Sequence, residues 1–516
     1  MRVHSVVRKP AADTQGPLGP DWADQYAHRA AAGADGQQLR CQLPHGGSLP
    51  LLPHGLTAAQ HFQCVAALPH TPIDKTTVAC DLEYALQQEA TRPALPGWRH
   101  WRRRAMESLC DSFAPPVERI LPKPAPHVQQ VGSQLRPDRL AVLAAGMQWP
   151  DVSLPYLCRE GAVLTGTLSP TGIFRPCQSK QVLSVEEFEA TAGAWVDTVL
   201  RRSAPSKEDA SKIWKKTQTE KQLGLMEGPF PPSHFDARHG RGRWRPVVRF
   251  GVEQKDGKFR VIDNGRSSKT NDTVDTSERI HCCSLSGAAA TVRRLSAIVG
   301  DDATRAELLM STHDMERAFR QVPVREDQLR FSVIAVWSPR EKQWTFWQLL
   351  AMPFGLGSAV NEFNRISAVV VAIARRWLAL PLLGYYDDFW IVEAKRWGKN
   401  ADFMFRWLMS FIGFILDGDK HQGPAPKVNF LGSRLKIAQG CISMKPKKGR
   451  IENITAEIDE LLRTLCCAPG ALASLRGRLL HACSTMHGRL GHCTVSYTHL
   501  RAHETDSYLV CRLLLE

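Results

Sequence analysis

Two adjacent aspartates, Asp387 and Asp388, interrupt the apolar run Leu380–Val392. Burying a carboxylate pair in such a stretch is costly unless a cation or a set of donors meets it. Strand-forming residues lie on both sides, Leu382, Leu383 and Tyr385 before the pair and Phe389, Trp390, Ile391 and Val392 after it. The pattern predicts a hairpin with the acids at its tip. A tip of that kind presents carboxylate oxygens outward, where a divalent metal is the natural partner.

The chain has 516 residues, enough for several domains and a sizeable core. Its net charge of +15 points to a polyanionic partner, most simply nucleic acid. The 14 cysteines form no Cys-x-x-Cys pair, which argues against a zinc ribbon or knuckle. His481, Cys483, His487, His492 and Cys493 cluster, but at spacings irregular for zinc. Met1–Gln15 carries charges without an apolar core segment, so the protein is expected inside the cell, in cytoplasm or nucleus, not secreted, with reduced thiols. The longest apolar stretch, Ile366–Tyr385, is broken by Arg375, Arg376 and Pro381, and no membrane partner is expected.

Residues 1–205 are weakly periodic, and 1–150 are expected to be partly disordered. Within them the Pro-rich stretch Ala114–His127 reads as a linker. The segment Trp98–Arg104 mixes aromatics with cations, which suits either a grip on a nucleic-acid strand or a surface helix with half-buried tryptophans. Order rises after Ser206. Helices are expected over Lys207–Met226, Ser358–Leu378, Ala401–Phe414, Ile451–Leu465 and Ala471–His487. Strands are expected over Glu307–Thr312, leading into Asp314, over Arg330–Trp337 paired with Trp344–Ala351, and over Asn429–Ile437.

Two-metal phosphoryl transfer needs carboxylates from more than one element. Asp387 and Asp388 cannot supply two ions by themselves. Asp314, at the end of an apolar strand, is the best third acid, and the neighbouring Met315 carbonyl offers a main-chain ligand. Each feature alone has a plainer reading, a solvated turn for the pair and a helix N-cap for Asp314. Further motifs stand in a set order around them. These are Gly257-Lys258-Phe259-Arg260-Val261-Ile262-Asp263, Thr312–Phe319, Met352-Pro353-Phe354-Gly355-Leu356, Tyr385–Asp388 and Phe430-Leu431-Gly432. In this order and spacing, over about residues 206–440, the chain resembles the fingers and palm of a retroelement reverse transcriptase. Gly161–Pro176 and Leu475–Leu479 resemble a mobile-element subgroup found in protist genomes.

The resemblance implies an α+β fold, a right-hand polymerase with an antiparallel palm sheet packed by helices and a small helical thumb. Residues 151–205 would extend the polymerase module at its N-terminal side, 206–300 would form the fingers and 301–440 the palm with parts of the fingers. Residues 441–492 would form thumb-like helices, with Lys445, Lys447, Lys448, Arg476 and Arg478 facing the duplex. Residues 493–516 change character abruptly and resemble translated adapter sequence, so no function is expected of them. The implied activity is RNA-directed DNA synthesis by a retrotransposon enzyme acting on an RNA template, a DNA primer and deoxynucleoside triphosphates. Asp314, Asp387 and Asp388, with Met315, would hold two Mg²⁺ ions, or Mn²⁺ in their place. Arg260, with Lys258 or Lys255, would clamp the triphosphate. Phe319 would sit beneath the sugar and exclude a 2′-hydroxyl, and Phe354 and Gly355 would lie against the base pair. Tyr386 would face the primer end, Lys420 would protonate departing pyrophosphate, and Leu431 and Gly432 would touch the primer. Two other readings stand beside this one: an inactive or domesticated nucleic-acid-binding fragment, and an RNA-dependent RNA polymerase, against which Phe319 argues.

Overall fold

The computed structural model describes residues 78–179, 181–253, 257–300, 307–438, 440–464 and 469–483, with short strands at 40–42 and 48–50. Lys255, most of the His/Cys cluster at 481–493 and the stretch 493–516 lie outside the described residues. The protein is α+β. Along the chain come helices α1 (Cys80–Thr91), α2 (Leu95–Ile120) and α3 (Pro137–Gly146), then α4 (Lys207–Gln222) and strand β1 (Met226–Phe230). Strands β2 (Pro246–Glu253) and β3 (Phe259–Asp263) precede helix α5 (Leu285–Val299). Strand β4 (Leu308–Asp314) is followed by β5 (Val333–Ser338), β6 (Gln343–Leu349) and the long helix α6 (Gly357–Leu378). After β7 (Leu382–Tyr385), β8 (Asp388–Ala394) and helix α7 (Asn400–Ile412) come β9 (Gln422–Ala425), β10 (Lys427–Phe430), β11 (Ser433–Ala438) and β12 (Cys441–Pro446).

These elements build one compact unit, Thr76–Lys445. A second unit contains the antiparallel pair Arg40–Gln42 with Ser48–Pro50 and helices α8 (Arg450–Thr464) and α9 (Pro469–Cys483). Helices α8 and α9 bury Ile454, Leu475 and Ala482 between them. Arg478, expected to face outward, instead pairs with Glu457 across the two helices.

In the larger unit, a five-stranded sheet has the order β1-β6-β5-β2-β3, with β5 and β2 parallel and the other neighbours antiparallel. A four-stranded sheet, β7-β8-β4-β9, is antiparallel throughout. Strand β8 is apolar on both faces from Phe389 to Val392 because both faces are covered. The two-residue period of a strand sends Phe389 and Ile391 into one core, with α6 and α7, and Trp390 and Val392 into the other, with α1 and α5. Helix α6 is the centre of the first core. Ala359, Phe363, Ile366, Val370 and Ile373 recur at three- and four-residue spacing and are all fully buried. Its Val369–Val371 run is a poor local helix former, overridden by that burial.

Further expectations are corrected. The helix expected over Lys207–Met226 ends at Gln222, and Met226 opens β1. Cys441–Pro446, expected among the thumb-like helices, is strand β12. Ala114–His127 does not begin as a linker, since α2 runs through Pro115 and Pro116 to Ile120. The prolines are exposed while Ala114 is buried and Val117 packs beside it, so apolar contact carries the helix across the hydrogen bonds that proline removes. The single strand expected over Asn429–Ile437 is two, β10 and β11, paired antiparallel around Leu431-Gly432. Both turn residues have positive φ, 45° and 68°, the backbone of a tight hairpin turn with right-handed strand twist.

Residues 78–150 form helices that share the cores of the rest of the unit. Leu86 joins the core with α5, and Met106, Leu140 and Leu143 join that of α6. The segment Trp98–Arg104 lies on α2. Arg99 is fully buried, donating to Glu89 Oε2 at 2.7 Å and to the carbonyls of Leu378 (3.1 Å) and Ala379 (2.8 Å). Arg102 donates to the Trp377 carbonyl at 2.8 Å and stacks over its ring. These two cations fasten the helix to the end of α6.

Candidate active site

Strand β4 reaches Asp314 through Leu308–His313, all but Leu309 of them buried. Its register against β8 pairs Met310 with Val392, Thr312 with Trp390 and Asp314 with Asp388. Directly opposed residues of an antiparallel pair lie on the same face, so two carboxylates face each other across neighbouring strands. Asp387 lies beside them in the turn joining β7 to β8. Tyr385 pairs with Asp388, which makes Tyr386-Asp387 a two-residue loop. Tyr386 has φ 54°, a left-handed conformation that suits glycine and costs a larger residue about 1–2 kcal/mol. Met315 N donates to the Asp387 carbonyl at 3.1 Å, and the Met315 carbonyl accepts a long bond of 3.4 Å from Ala318 N.

The cluster is short of positive charge. Burial, then Asp387 and Asp314, push the Asp388 carboxyl up to about 7, and Lys420 offsets this only in part. Burial and Asp314 likewise raise the Asp387 carboxyl, while Lys420 and Arg260 pull it down. The Lys420 ammonium contacts Asp314 directly and lies 3.3 Å from Asp417 Oδ2. Burial works against that ammonium, but the two carboxylates hold its pKa above the usual lysine range. With Asp314 turned to Lys420, the three acids do not close into a ready-made cage among the described residues. A lysine ammonium stands where a cation is wanted, and an all-oxygen donor set suits hard divalent ions.

Other predicted residues gather near this edge. Arg260 is exposed on β3, and its charge reaches Asp387. Lys258 is exposed just ahead of the same strand. Phe319, in the 3₁₀ turn Ala318–Gln321, stacks on Phe363 of α6 with centroids 4.8 Å apart and meets Phe354 edge-on at 5.8 Å. Phe354 is 40% exposed. Gly355 has φ 122°, and a β-carbon there would collide with the Asp263 carbonyl. Leu431 and Gly432 lie at the tip of the β10–β11 hairpin, with Leu431 packed partly against the second core.

A set of residues that sequence reasoning gave no role joins these parts. Asp263 N donates to the Phe354 carbonyl at 2.8 Å, and Phe354 N to Asp263 Oδ2 at 3.3 Å. Arg320 donates to Asp263 Oδ2 at 3.1 Å, to Glu220 Oε1 at 2.8 Å and to the Met352 carbonyl. Arg249, fully buried, donates to Asp263 and Glu220 as well. Burial raises the Glu220 carboxyl, but Arg320 and Arg249 outweigh it and hold it down at about 2. This network clamps β3, which carries Arg260, to the loop that carries Phe354 and Gly355. The sequence signal was the position of Arg320 directly after Phe319. Asp417 is a further omission, its N–H donating to the Asp314 carbonyl at 2.8 Å.

No protein-family model matches the sequence, and no curated protein matches it. Among the described residues no helix is long and apolar enough to cross a membrane.

Proposed function

We propose that this chain is an RNA-directed DNA polymerase of retroelement type, with the four-stranded sheet as its palm and the five-stranded sheet as part of its fingers. The observation that carries this reading is the cross-strand pairing of Asp314 with Asp388, with Asp387 in the adjoining turn. Asp314, Asp387 and Asp388 would hold two Mg²⁺ ions, a role that Mn²⁺ also fills. Bound there, such ions neutralise triphosphate charge and make the primer 3′-hydroxyl a better nucleophile. The primer oxygen forms a bond to the α-phosphorus, and the bond to the bridging oxygen breaks with release of pyrophosphate.

The chain's own groups bind and orient. Arg260, with Lys258, grips triphosphate oxygens, for which a guanidinium fork is well shaped. Phe319, held by Phe363 and Phe354, lies beneath the sugar and leaves no room for a 2′-hydroxyl. Gly355 lets backbone approach the nascent base pair. Lys420 holds a proton beside the acids for the departing pyrophosphate. RNA template and DNA primer are the partners that the net charge of +15 suits.

Primer extension on an RNA template tests the reading. Wild type is expected to extend with deoxynucleotides, and Asp387→Asn to lose activity by about a hundred- to a thousandfold, the scale of removing one main electrostatic group. Template–primer binding without extension in both proteins would select the binding-fragment reading. Preference for ribonucleotides would select an RNA polymerase.

A further inference from the structure

We propose that His313, Asp402 and His421 form a site for one Zn²⁺ ion, on the opposite face of the sheet from the acid cluster. His313 precedes Asp314 on β4, and the strand period turns the two side chains to opposite faces. On that face the His313 ring lies 5.0 Å from Phe405 of α7, and Asp402 sits in the first turn of the same helix. His421, directly after Lys420 and just ahead of β9, completes the group. His421 Nε2 is 2.7 Å and His313 Nε2 3.1 Å from the same atom, Asp402 Oδ1. One donor atom from each residue lies within 4.8 Å of the others.

Three observations point to a metal. First, the His313 side chain is 1% exposed, and its Nε2 lies 3.1 Å from Asp402 Oδ1 without well-aligned hydrogen-bond geometry. A buried imidazole nitrogen left so calls for a ligand. Second, the Arg406 guanidinium pairs with Asp402 Oδ2 at 2.9 Å, which leaves Oδ1 facing the two imidazoles. Donors around a tetrahedral zinc stand about 3.3 Å apart; the imidazole nitrogens lie 3.1 and 2.7 Å from Oδ1, and the three donors, all within 4.8 Å of one another, need only small side-chain shifts to close on an ion. Third, a cavity of about 580 Å³ opens beside both imidazoles, with Ser410 and Asp417 also on its wall. It supplies an entry path and room for a water as fourth ligand. Two imidazoles and one carboxylate suit Zn²⁺, whereas Mg²⁺ and Ca²⁺ take oxygen donors.

A bound ion ties together β4, α7 and the loop that carries Lys420, three elements that also support the acid cluster. The site stands on its own donors and does not depend on the polymerase reading.

The full chain, stripped with chelator and dialysed against buffered Zn²⁺, is expected to retain one equivalent at this site, with excess Mg²⁺ failing to displace it. His421→Gln, on a partly exposed loop residue that spares the core, should weaken Zn²⁺ binding by about 100-fold or more, beyond the loss typical of outer-shell changes. Asp402→Asn should do the same. Co²⁺ substituted into the unmutated chain should give the visible absorption of a tetrahedral site, which His421→Gln abolishes. A chain that takes up no Zn²⁺ and shows no cobalt band overturns the proposal. So does a His421→Gln protein that binds Zn²⁺ as wild type does, since a carboxylate shared by two imidazole N–H donors then accounts for the cluster.

Discussion

Phe319 has its ring stacked on Phe363 and set edge-to-face with Phe354, so the ring is held in place, as the proposed sugar contact requires. Phe319→Ala is expected to cut discrimination against ribonucleotides by at least about tenfold, the lower end of what a shape contact provides. The ratio of kcat/KM for matched deoxy- and ribonucleotides measures it. Glu393 gives a different prediction. It is 2% exposed, accepts one bond from Ala401 N at 2.9 Å, and its Oε1 has no partner. Burial foremost, with Glu89 and Asp402 adding, pushes its carboxyl up to about 8 from an ordinary 4.5. The folded state therefore keeps a proton that the unfolded chain releases, and stability is full below pH 4.5 and falls as pH rises toward 8. Glu393→Gln should flatten this fall, gaining roughly 2–4 kcal/mol relative to wild type between pH 5 and pH 8. Denaturant midpoints at the two pH values check it, and no relative gain at pH 8 would count against it. Glu393 was invisible in the sequence, where an acid ending an apolar strand looks like any solvated strand end.

The hairpin of β7 and β8 was legible because its signals are local, strand formers flanking two turn-forming acids. The left-handed Tyr386 was not, since that conformation follows from the two-residue loop that the β7–β8 register imposes. Helix α2 shows the reverse case. Its Trp98–Arg104 segment fitted two roles equally from composition; the contacts of Arg99 and Arg102 give those two cations a structural role, while Trp101 stays exposed. Arg99 joins α1, α2 and the end of α6, while Glu89 also accepts from Ala394 N at 2.9 Å. Arg99→Met would leave the Glu89 carboxylate buried without its cation, a change worth about 3–5 kcal/mol. Adding Glu89→Gln, which keeps an acceptor for Ala394, should restore part of that loss. Equilibrium unfolding of the single and double variants reads both effects.

The unit Thr76–Lys445 places residues 78–150 in the same cores as the acid-bearing sheet. A chain that starts at residue 151 is expected to lack a cooperative thermal transition, because Leu86, Met106, Leu140 and Leu143 no longer cover their partners. Each large apolar side chain so removed forfeits about 1.5–3 kcal/mol of burial. Calorimetry of that chain beside one covering residues 76–445 decides the matter, and equal cooperativity would refute it. Periodicity and turn chemistry, acting between near neighbours, were enough to mark the acid-tipped hairpin, helix α6 and the pairing of β5 with β6. They could not bring Asp314 opposite Asp388, seat Arg99 against Glu89 and the end of α6, or gather His313, Asp402 and His421. Those meetings join residues far apart in the chain, and they come about because two apolar cores must both be covered, which forbids β4 a one-residue slip against β8.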